Sequence, residues 1–146
     1  MLFRSRNITH IGGPGAGQVA KCCNQIMVVA QMAAMGELLI FARKAGVDPQ
    51  KVVAAIQGGA AQCWALDNKP VKLFAGDRQP GFKAYMQAKD LTIVRETAEA
   101  YGMPLPAGQA NAALFDQMLE LGMRDLDNSA VVGVIEELAG TTLLED

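Results

Sequence analysis

A lysine and two amides near the start of a helix are the clearest candidates for chemistry in this sequence. The stretch Gly12–Gln25 reads GGPGAGQVAKCCNQ, a glycine-rich turn followed by helix-forming residues. Asn24 and Gln25 follow Lys21 at offsets of three and four, which places the three side chains on one helical face. An ammonium group can exchange a proton, and uncharged amides both donate and accept hydrogen bonds. The set therefore suits a carboxylate or hydroxyl ligand.

The glycines before the lysine allow the backbone to approach another group closely. Gly15 and Gly17 carry no Cβ and adopt positive φ at little cost, so both are candidate binding residues. A Walker phosphate loop is not favoured, because Gln18 and Val19 stand where that loop needs lysine and a hydroxyl. A dinucleotide fingerprint is not favoured either, because helices follow rather than a βαβ unit.

Each charged candidate has an ordinary alternative. Lys21 could be a surface lysine at a helix start, although a positive charge there opposes the helix dipole and so favours a functional role. From spacing alone the two interpretations are balanced. Lys89 and Asp90 are more simply a pair at a helix start, with Asp90 favourable in the first turn.

The remaining reactive side chains predict no further site. His10 is the single histidine, and a lone histidine is more often structural than catalytic. Cys22, Cys23 and Cys63 lack CxxC spacing, so neither a disulfide framework nor a bound metal is expected. We expect Cys22 and Cys23 to act as small hydrophobes against neighbouring helices.

Composition favours a single all-α domain. The 146 residues are 51% hydrophobic but only 5% aromatic, and 15 are glycine, which is typical of helices packed closely through small residues. The formal charge of −2 gives no field that would attract nucleic acid. Four methionines are expected to fill the core: Met32, Met35, Met86 and Met118.

One long helix is predicted at the centre of the bundle, over residues 16–45. Between Ile26 and Ala42 only Gln31 and Glu37 are polar, so the helix is apolar nearly all round and should be buried. Those two polar residues make a membrane span the less favoured interpretation. Gly46 supplies the left-handed residue that ends the helix.

Capping residues and breaks predict the shorter helices. They are expected at 49–56 after an Asp48 cap, at 61–67, at 70–74, at 82–101 ended by Gly102, at about 110–121 ended by Gly122, and after a cap at Asp127, Asn128 or Ser129. The tail from Gly140 is expected to fray. Helical spacing predicts inward side chains at Trp64, Leu66, Leu91, Val94, Ala98, Tyr101, Ala110, Leu114, Met118, Leu121, Val131, Ile135 and Leu138.

Several motifs in one order resemble a known family. The pattern GxGQxxKxxNQ at Gly15–Gln25 is followed by ARKAGVDP, by PGF before AKDL, and by DNSA at 127–130. In this order they resemble the β-hydroxyacid dehydrogenases, the family of 3-hydroxyisobutyrate dehydrogenase and tartronate semialdehyde reductase (2-hydroxy-3-oxopropionate reductase). The resemblance covers nearly everything from Ile8 to Leu138.

The resemblance implies a fold like the C-terminal domain of 6-phosphogluconate dehydrogenase, which follows an N-terminal Rossmann domain in the intact enzyme. Residues 1–11 would be a linker remnant. Residues 12–146 would form a helical substrate-binding and subunit-association domain, with the Rossmann domain absent from this chain. A homodimer or higher homo-oligomer is expected.

The resemblance also implies roles for the candidate residues. Lys21 would be the general acid/base that protonates the carbonyl oxygen as hydride arrives from NAD or NADP. Asn24 and Gln25 would orient the substrate, although Gln25 stands where the family often has asparagine. Lys89 would reach the cofactor with Asp90 as its support.

The expected function is therefore that of half an enzyme. The complete protein would interconvert a small β-hydroxy acid and its semialdehyde, and this chain alone would be inactive. The alternative is a non-enzymatic helical oligomerisation module. The start, MLFRSRN, lacks the apolar region of a secretory signal, so a cytoplasmic location is expected. The choices between NAD and NADP and among hydroxy acids stay open.

Overall fold

A 29-residue helix, α1 (Ala16–Lys44), runs through the middle of a bundle of shorter helices. The computed structural model describes residues 8–144. The other helices are α2 (Pro49–Ile56), α3 (Trp64–Asn68), α4 (Pro70–Phe74), α5 (Ala84–Ala100), α6 (Pro106–Glu120), a 3₁₀ turn (Asn128–Val131) and α7 (Val132–Ala139). No strand occurs in this part of the chain. The predicted all-α bundle around one long helix is confirmed.

The predicted linker remnant falls partly outside this description. Residues 1–7, which include most of that segment, lie outside the described residues, as do residues 145–146. The stretch 8–12 is exposed and has no regular secondary structure. His10 belongs to this exposed stretch.

Glycines set both ends of α1. Gly15 precedes the helix with φ 89° and Gly46 follows it with φ 73°, both in the left-handed region that favours glycine. The Val47 N–H donates to the Ala42 carbonyl at 2.9 Å, which closes the last turn. Arg43 and Lys44 lie in that turn, where positive charge is favourable. The predicted C-terminal boundary is confirmed.

The core is built on α1. Its buried side chains include Val29, Met32, Met35, Leu39 and Ile40, and they pack against the inner faces of α5, α6 and α7. Among the described helices, α1 alone is long and apolar enough to cross a membrane, and half of that apolar window is buried inside the protein. Such burial is what a central bundle helix requires.

Three predicted core residues lie at the surface. Trp64 is 61% exposed because α3 begins at this residue rather than at residue 61, which leaves the indole on an outer first turn. Tyr101 follows the last turn of α5 as its C-cap and is exposed. Leu138 lies on the outer side of α7. Leu66, Leu91, Val94, Val131 and Ile135 are buried as predicted.

The inner face of α6 also differs from the prediction. The helix begins at Pro106, four residues early, because proline is tolerated at the first helical position. Its buried side chains are Ala112, Phe115 and Met118, and Ala110 and Leu121 are exposed. The partners on α1 and α5 decide which side of this weakly amphipathic helix is covered.

Three smaller expectations were wrong. The tail does not fray at once, because Leu143 is buried and its N–H donates to Glu136 Oε1 at 2.6 Å. Cys22 is buried but the adjacent Cys23 is exposed, since neighbours on a helix point about 100° apart. Met86 lies on the exposed side of α5, whereas Met32 and Met118 are in the core.

The crossing of α1 and α7 predicts a size limit at Gly36. A Cβ built on Gly36 would lie 3.4 Å from the Val132 Cα and 3.5 Å from Ile135 Cγ1, which is ordinary contact. We therefore expect Gly36→Ala to be neutral or slightly stabilising. Gly36→Val adds methyl groups that the neighbours cannot accommodate, and should lower the free energy of unfolding by about 1–3 kcal/mol in urea titrations.

Gly17→Val is the matched control, because a Cβ at Gly17 in the same helix meets open space. Equal losses for the two valine variants would contradict close packing at Gly36.

Candidate active site

Two clefts share the N-terminal part of α1 as a common wall. The amide cleft, of ≈ 430 Å³, is lined by Lys21, Asn24, Gln25, Val28, Met32, Trp64, Lys69, Gly81, Phe82, Gln87 and Asn128. The lysine cleft, of ≈ 200 Å³, is lined by Gln18, Lys21, Cys22, Gln25, Lys89, Asp90, Ile93 and Val94. Lys21 and Gln25 line both clefts, so any group they hold lies at the boundary between the two.

Asp90 joins the predicted site residues. Its Oδ2 accepts a hydrogen bond from Gln25 Nε2 at 2.6 Å and lies 3.6 Å from Lys21 Nζ. Its Oδ1 lies 3.5 Å from Lys89 Nζ. Asp90 is 15% exposed, whereas the Lys21 side chain is 53% exposed. One largely enclosed carboxylate thus holds an amide and a lysine that stays accessible from both clefts.

The position of Asp90 within α5 differs from the prediction. The helix begins at Ala84, so Lys89 and Asp90 lie in its second turn and are not a helix-start pair. Asp90 meets α1 because α5 packs beside that helix and buries Leu91 and Val94 against it. Tertiary packing therefore brings together residues more than sixty positions apart.

The other predicted site residues lie farther from this carboxylate. Asn24 is exposed and lines only the amide cleft. Gly15 and Gly17 are exposed at the start of α1 and, among the described residues, are not part of the lining of either cleft. The positive φ of Gly15 gives that glycine a role in beginning the helix. A binding role for the two glycines stays a prediction.

A chain of buried amides extends from Gln25 into the protein. Gln87 Nε2 donates to Gln25 Oε1 at 3.1 Å, and Asn128 Nδ2 donates to Gln87 Oε1 at 3.1 Å. Sequence reasoning missed Gln87 and considered Asn128 only as a cap. One pattern could have found Gln87, because it is the polar member of an inward series with Ala84, Ala88 and Leu91.

A second, buried ion pair lies below the amide cleft. Lys69 Nζ lies 2.7 Å from Asp127 Oδ1, and both side chains are buried. Asp127 also accepts from the Gly81 N–H at 2.8 Å and from the Ser129 hydroxyl at 2.6 Å. Asp127 is therefore the predicted cap of the last helical region, and it fixes the loop at Gly81 as well.

Burial of Asp127 disfavours its charge, but hydrogen bonds from Lys69 and Ser129 outweigh that effect and lower the pKa of Asp127 to about 2. The carboxylate is thus ionised at neutral pH and is held in one orientation.

A larger cavity, of ≈ 650 Å³, lies at the opposite end of α1. Its lining includes Arg43, Val47, Phe74 and Leu144. Arg43 follows Lys21 by 22 positions on the same helix, a rise of about 33 Å, so this cavity is remote from the lysine. It contains none of the candidate site residues, and the two clefts are the better candidate for chemistry.

The fold first defines the class of protein. The bundle is similar to the crystal structure of 3-hydroxyisobutyrate dehydrogenase from Salmonella typhimurium, with a TM-score of 0.84 and 27% identity over 89% of this chain and 46% of that one. It is also similar to the structure of Mycobacterium tuberculosis 3-hydroxyisobutyrate dehydrogenase with L-serine, with a TM-score of 0.80 and 30% identity over 87% and 46% of the two chains.

The sequence comparisons then define the family. Residues 15–135 match the family described as "NAD-binding of NADP-dependent 3-hydroxyisobutyrate dehydrogenase", and the chain belongs to this family. It is 37% identical to 2-hydroxy-3-oxopropionate reductase of Escherichia coli (strain K12) over 138 residues, which are 94% of this chain and 47% of that protein. The chain thus spans about half the length of the curated relatives it matches. The resemblance described above is confirmed.

The buried ion pair predicts a change in stability on mutation. Asp127→Asn removes the charge that Lys69 faces and one acceptor for Gly81 and Ser129, and a buried pair that loses one partner typically loses about 3–5 kcal/mol. We expect a loss of this size in the free energy of unfolding at pH 7, measured by denaturant titration. Asp125→Asn is the control, because Asp125 pairs with Lys83 at the surface and should matter little.

The same carboxylate predicts an acid dependence. The folded pKa of Asp127 is about 2 and its ordinary value is 3.8, so its contribution to stability is present above pH 4 and is lost as pH falls toward 2. That contribution amounts to about 2 kcal/mol. Wild type should lose this extra stability between pH 4 and pH 2, whereas Asp127→Asn should not. Parallel pH profiles would contradict the assignment.

Proposed function

We propose that this chain is the substrate-binding and subunit-association half of an NAD(P)-dependent dehydrogenase. The complete enzyme would interconvert a small β-hydroxy acid and its semialdehyde, with Lys21 as general acid/base. One observation carries the proposal. Lys21 Nζ lies 3.6 Å from Asp90, on the wall that two clefts share, beside the buried amide of Gln25.

The chemistry asks little of this chain beyond proton transfer and orientation. The nicotinamide, when bound, supplies hydride to the carbonyl carbon of the semialdehyde. The Lys21 ammonium donates its proton to the carbonyl oxygen, and in the oxidative direction the neutral amine takes that proton back. Asp90 holds the ammonium in place, and Gln25 and Asn24 orient the substrate from the same helical face.

The residues present fit a dinucleotide on the lysine-cleft side. The Lys89 side chain is exposed, and its ammonium is a charge that binds phosphate oxygens well. Gln18 adds an uncharged donor in the same cleft. Lys89 would thus hold the cofactor, NAD or NADP, while the amide cleft holds the acid.

Turnover should require a dinucleotide-binding domain in addition to these helices. A hydride donor must lie within about 3–3.5 Å of the reacting carbon, and within residues 8–144 no βαβ unit exists to hold one. We expect this chain alone to show no reduction of 2-hydroxy-3-oxopropionate or related semialdehydes by NADH or NADPH. Adding or fusing a matching dinucleotide-binding domain should restore it. Turnover by the chain alone would contradict this division of labour.

The role of Lys21 is tested in the completed enzyme. Lys21→Ala should lower kcat by about 10²–10⁴-fold while the melting temperature stays the same, because only proton transfer is removed. Lys72→Ala is the matched control, since Lys72 is 52% exposed and pairs with Asp77 at 3.4 Å, much as Lys21 pairs with Asp90. Equal activity of the two variants would end the catalytic assignment.

We propose further that the chain self-associates. Large apolar side chains are exposed on both halves of α1, among them Met27 and Phe41, and apolar exposure of this kind favours a covered interface. Sedimentation at micromolar concentration should give a dimer or larger assembly, and Phe41→Glu should shift it toward monomer. A wild-type monomer would contradict this.

The same apolar surface favours the second candidate function, a non-enzymatic association module. The Lys21 variant separates the two, because a module that only assembles would lose nothing when Lys21 is removed.

A further inference from the structure

The buried amides have a direction that Asp90 imposes. An ionised carboxylate can only accept hydrogen bonds, so Gln25 must turn its NH₂ group toward Asp90 and its oxygen away. Gln87 then meets that oxygen with its own NH₂ group, and Asn128 repeats the pattern toward Gln87. Every amide in the chain therefore points its nitrogen toward Asp90 and its oxygen toward the far end.

The chain ends in an acceptor without a donor. Asn128 Oδ1 is the one buried side-chain oxygen or nitrogen without a hydrogen-bond partner in residues 8–144. Asn128 is only 2% exposed, and it lines the amide cleft beside Gln25 and Gln87. Rotating its amide would not help, because Gln87 Oε1 would then face an oxygen. An enclosed acceptor of this kind is unfavourable until a donor reaches it.

The proposed substrates differ in whether they carry such a donor. A carboxylate and an aldehyde offer only acceptors, so neither end of a semialdehyde acid can satisfy Asn128 Oδ1. The remaining position is the substituent on the carbon between them. A hydroxyl there donates a hydrogen bond, whereas a hydrogen or a methyl group does not.

We propose that Asn128 is a specificity-determining residue that selects acids with a hydroxyl on the carbon next to the carboxylate. This inference rests on the proposed function. The preferred pair is a 2-hydroxy-3-oxo acid and its 2,3-dihydroxy product, and acids with a methyl group or hydrogen at that carbon bind more weakly. Gln87 and Asp90 are positioning residues for this contact, since they fix which atom of Asn128 is free.

Ligand titrations of the ¹⁵N-labelled chain test the preference directly. Glycerate, 3-hydroxypropionate and 3-hydroxyisobutyrate have the same carboxylate and terminal alcohol and differ only in the substituent at the second carbon. Glycerate should bind about tenfold to a hundredfold more tightly than either of the others, because they leave the buried oxygen unpaired. Equal affinities would overturn the role of Asn128 and leave the proposed function intact. Binding of none of the three acids would overturn both.

Substitution of Asn128 then locates the preference. Asn128→Leu has a similar shape without the acceptor, and should bring the affinity ratio to about one. Asn128→His keeps one donor and one acceptor in its neutral form and should retain a preference for glycerate. Asn111→Leu, on α6 and outside both clefts, is the control and should keep the wild-type ratio.

A ratio that survives Asn128→Leu would overturn the inference. The comparison of the three acids on the wild-type chain decides the matter even if that variant does not fold.

Discussion

The candidate site depends on one carboxylate that can only accept. Asp90 Oδ2 receives the Gln25 amide at 2.6 Å and faces Lys21 Nζ at 3.6 Å, so a single oxygen fixes two groups on α1. Its second oxygen faces Lys89. A neutral amide at this position could turn either way, and the order of donors and acceptors behind it would be lost. The charge of Asp90 thus determines the hydrogen-bonding pattern as far away as Asn128.

A second carboxylate makes that pattern rigid. Asp127 is buried against Lys69 and accepts from the loop at Gly81, so it ties α4, the loop before α5 and the 3₁₀ turn to one point. Asn128 follows Asp127 directly, and its position relative to Gln87 is set by this attachment. Asp90 and Asp127 therefore have different tasks. The first arranges groups that a ligand can meet, and the second holds the base of the cleft still.

The arrangement of the clefts accords with a chain that spans about half the length of its relatives. Lys21 lies at the boundary between an amide-lined cleft and a lysine-lined cleft, and its side chain is accessible from both. A neighbouring domain could cover this face without rearranging α1 or α5. Exposed apolar side chains such as Trp64, next to the amide cleft, are consistent with a surface that is completed by another domain or chain.

Sequence alone determined what short-range interactions decide. The Asp48 cap before Pro49, the left-handed glycines after α1, α5 and α6, and the common face of Lys21 and Gln25 all depend on neighbours within a few residues. The family resemblance added the pairing of Lys21 with Lys89 and Asp90, which the spacing of residues could not supply.

Tertiary structure decided what depends on partners far along the chain. It turned α6 toward Phe115, left Trp64 outside, and joined Gln25 to Gln87 and Asn128 across intervals of 62 and 41 positions. Periodicity shows that a helix has an apolar side, but the neighbouring helices choose which residues are covered. A polar side chain is likewise recognised as part of a site only when packing brings its partners within hydrogen-bonding distance.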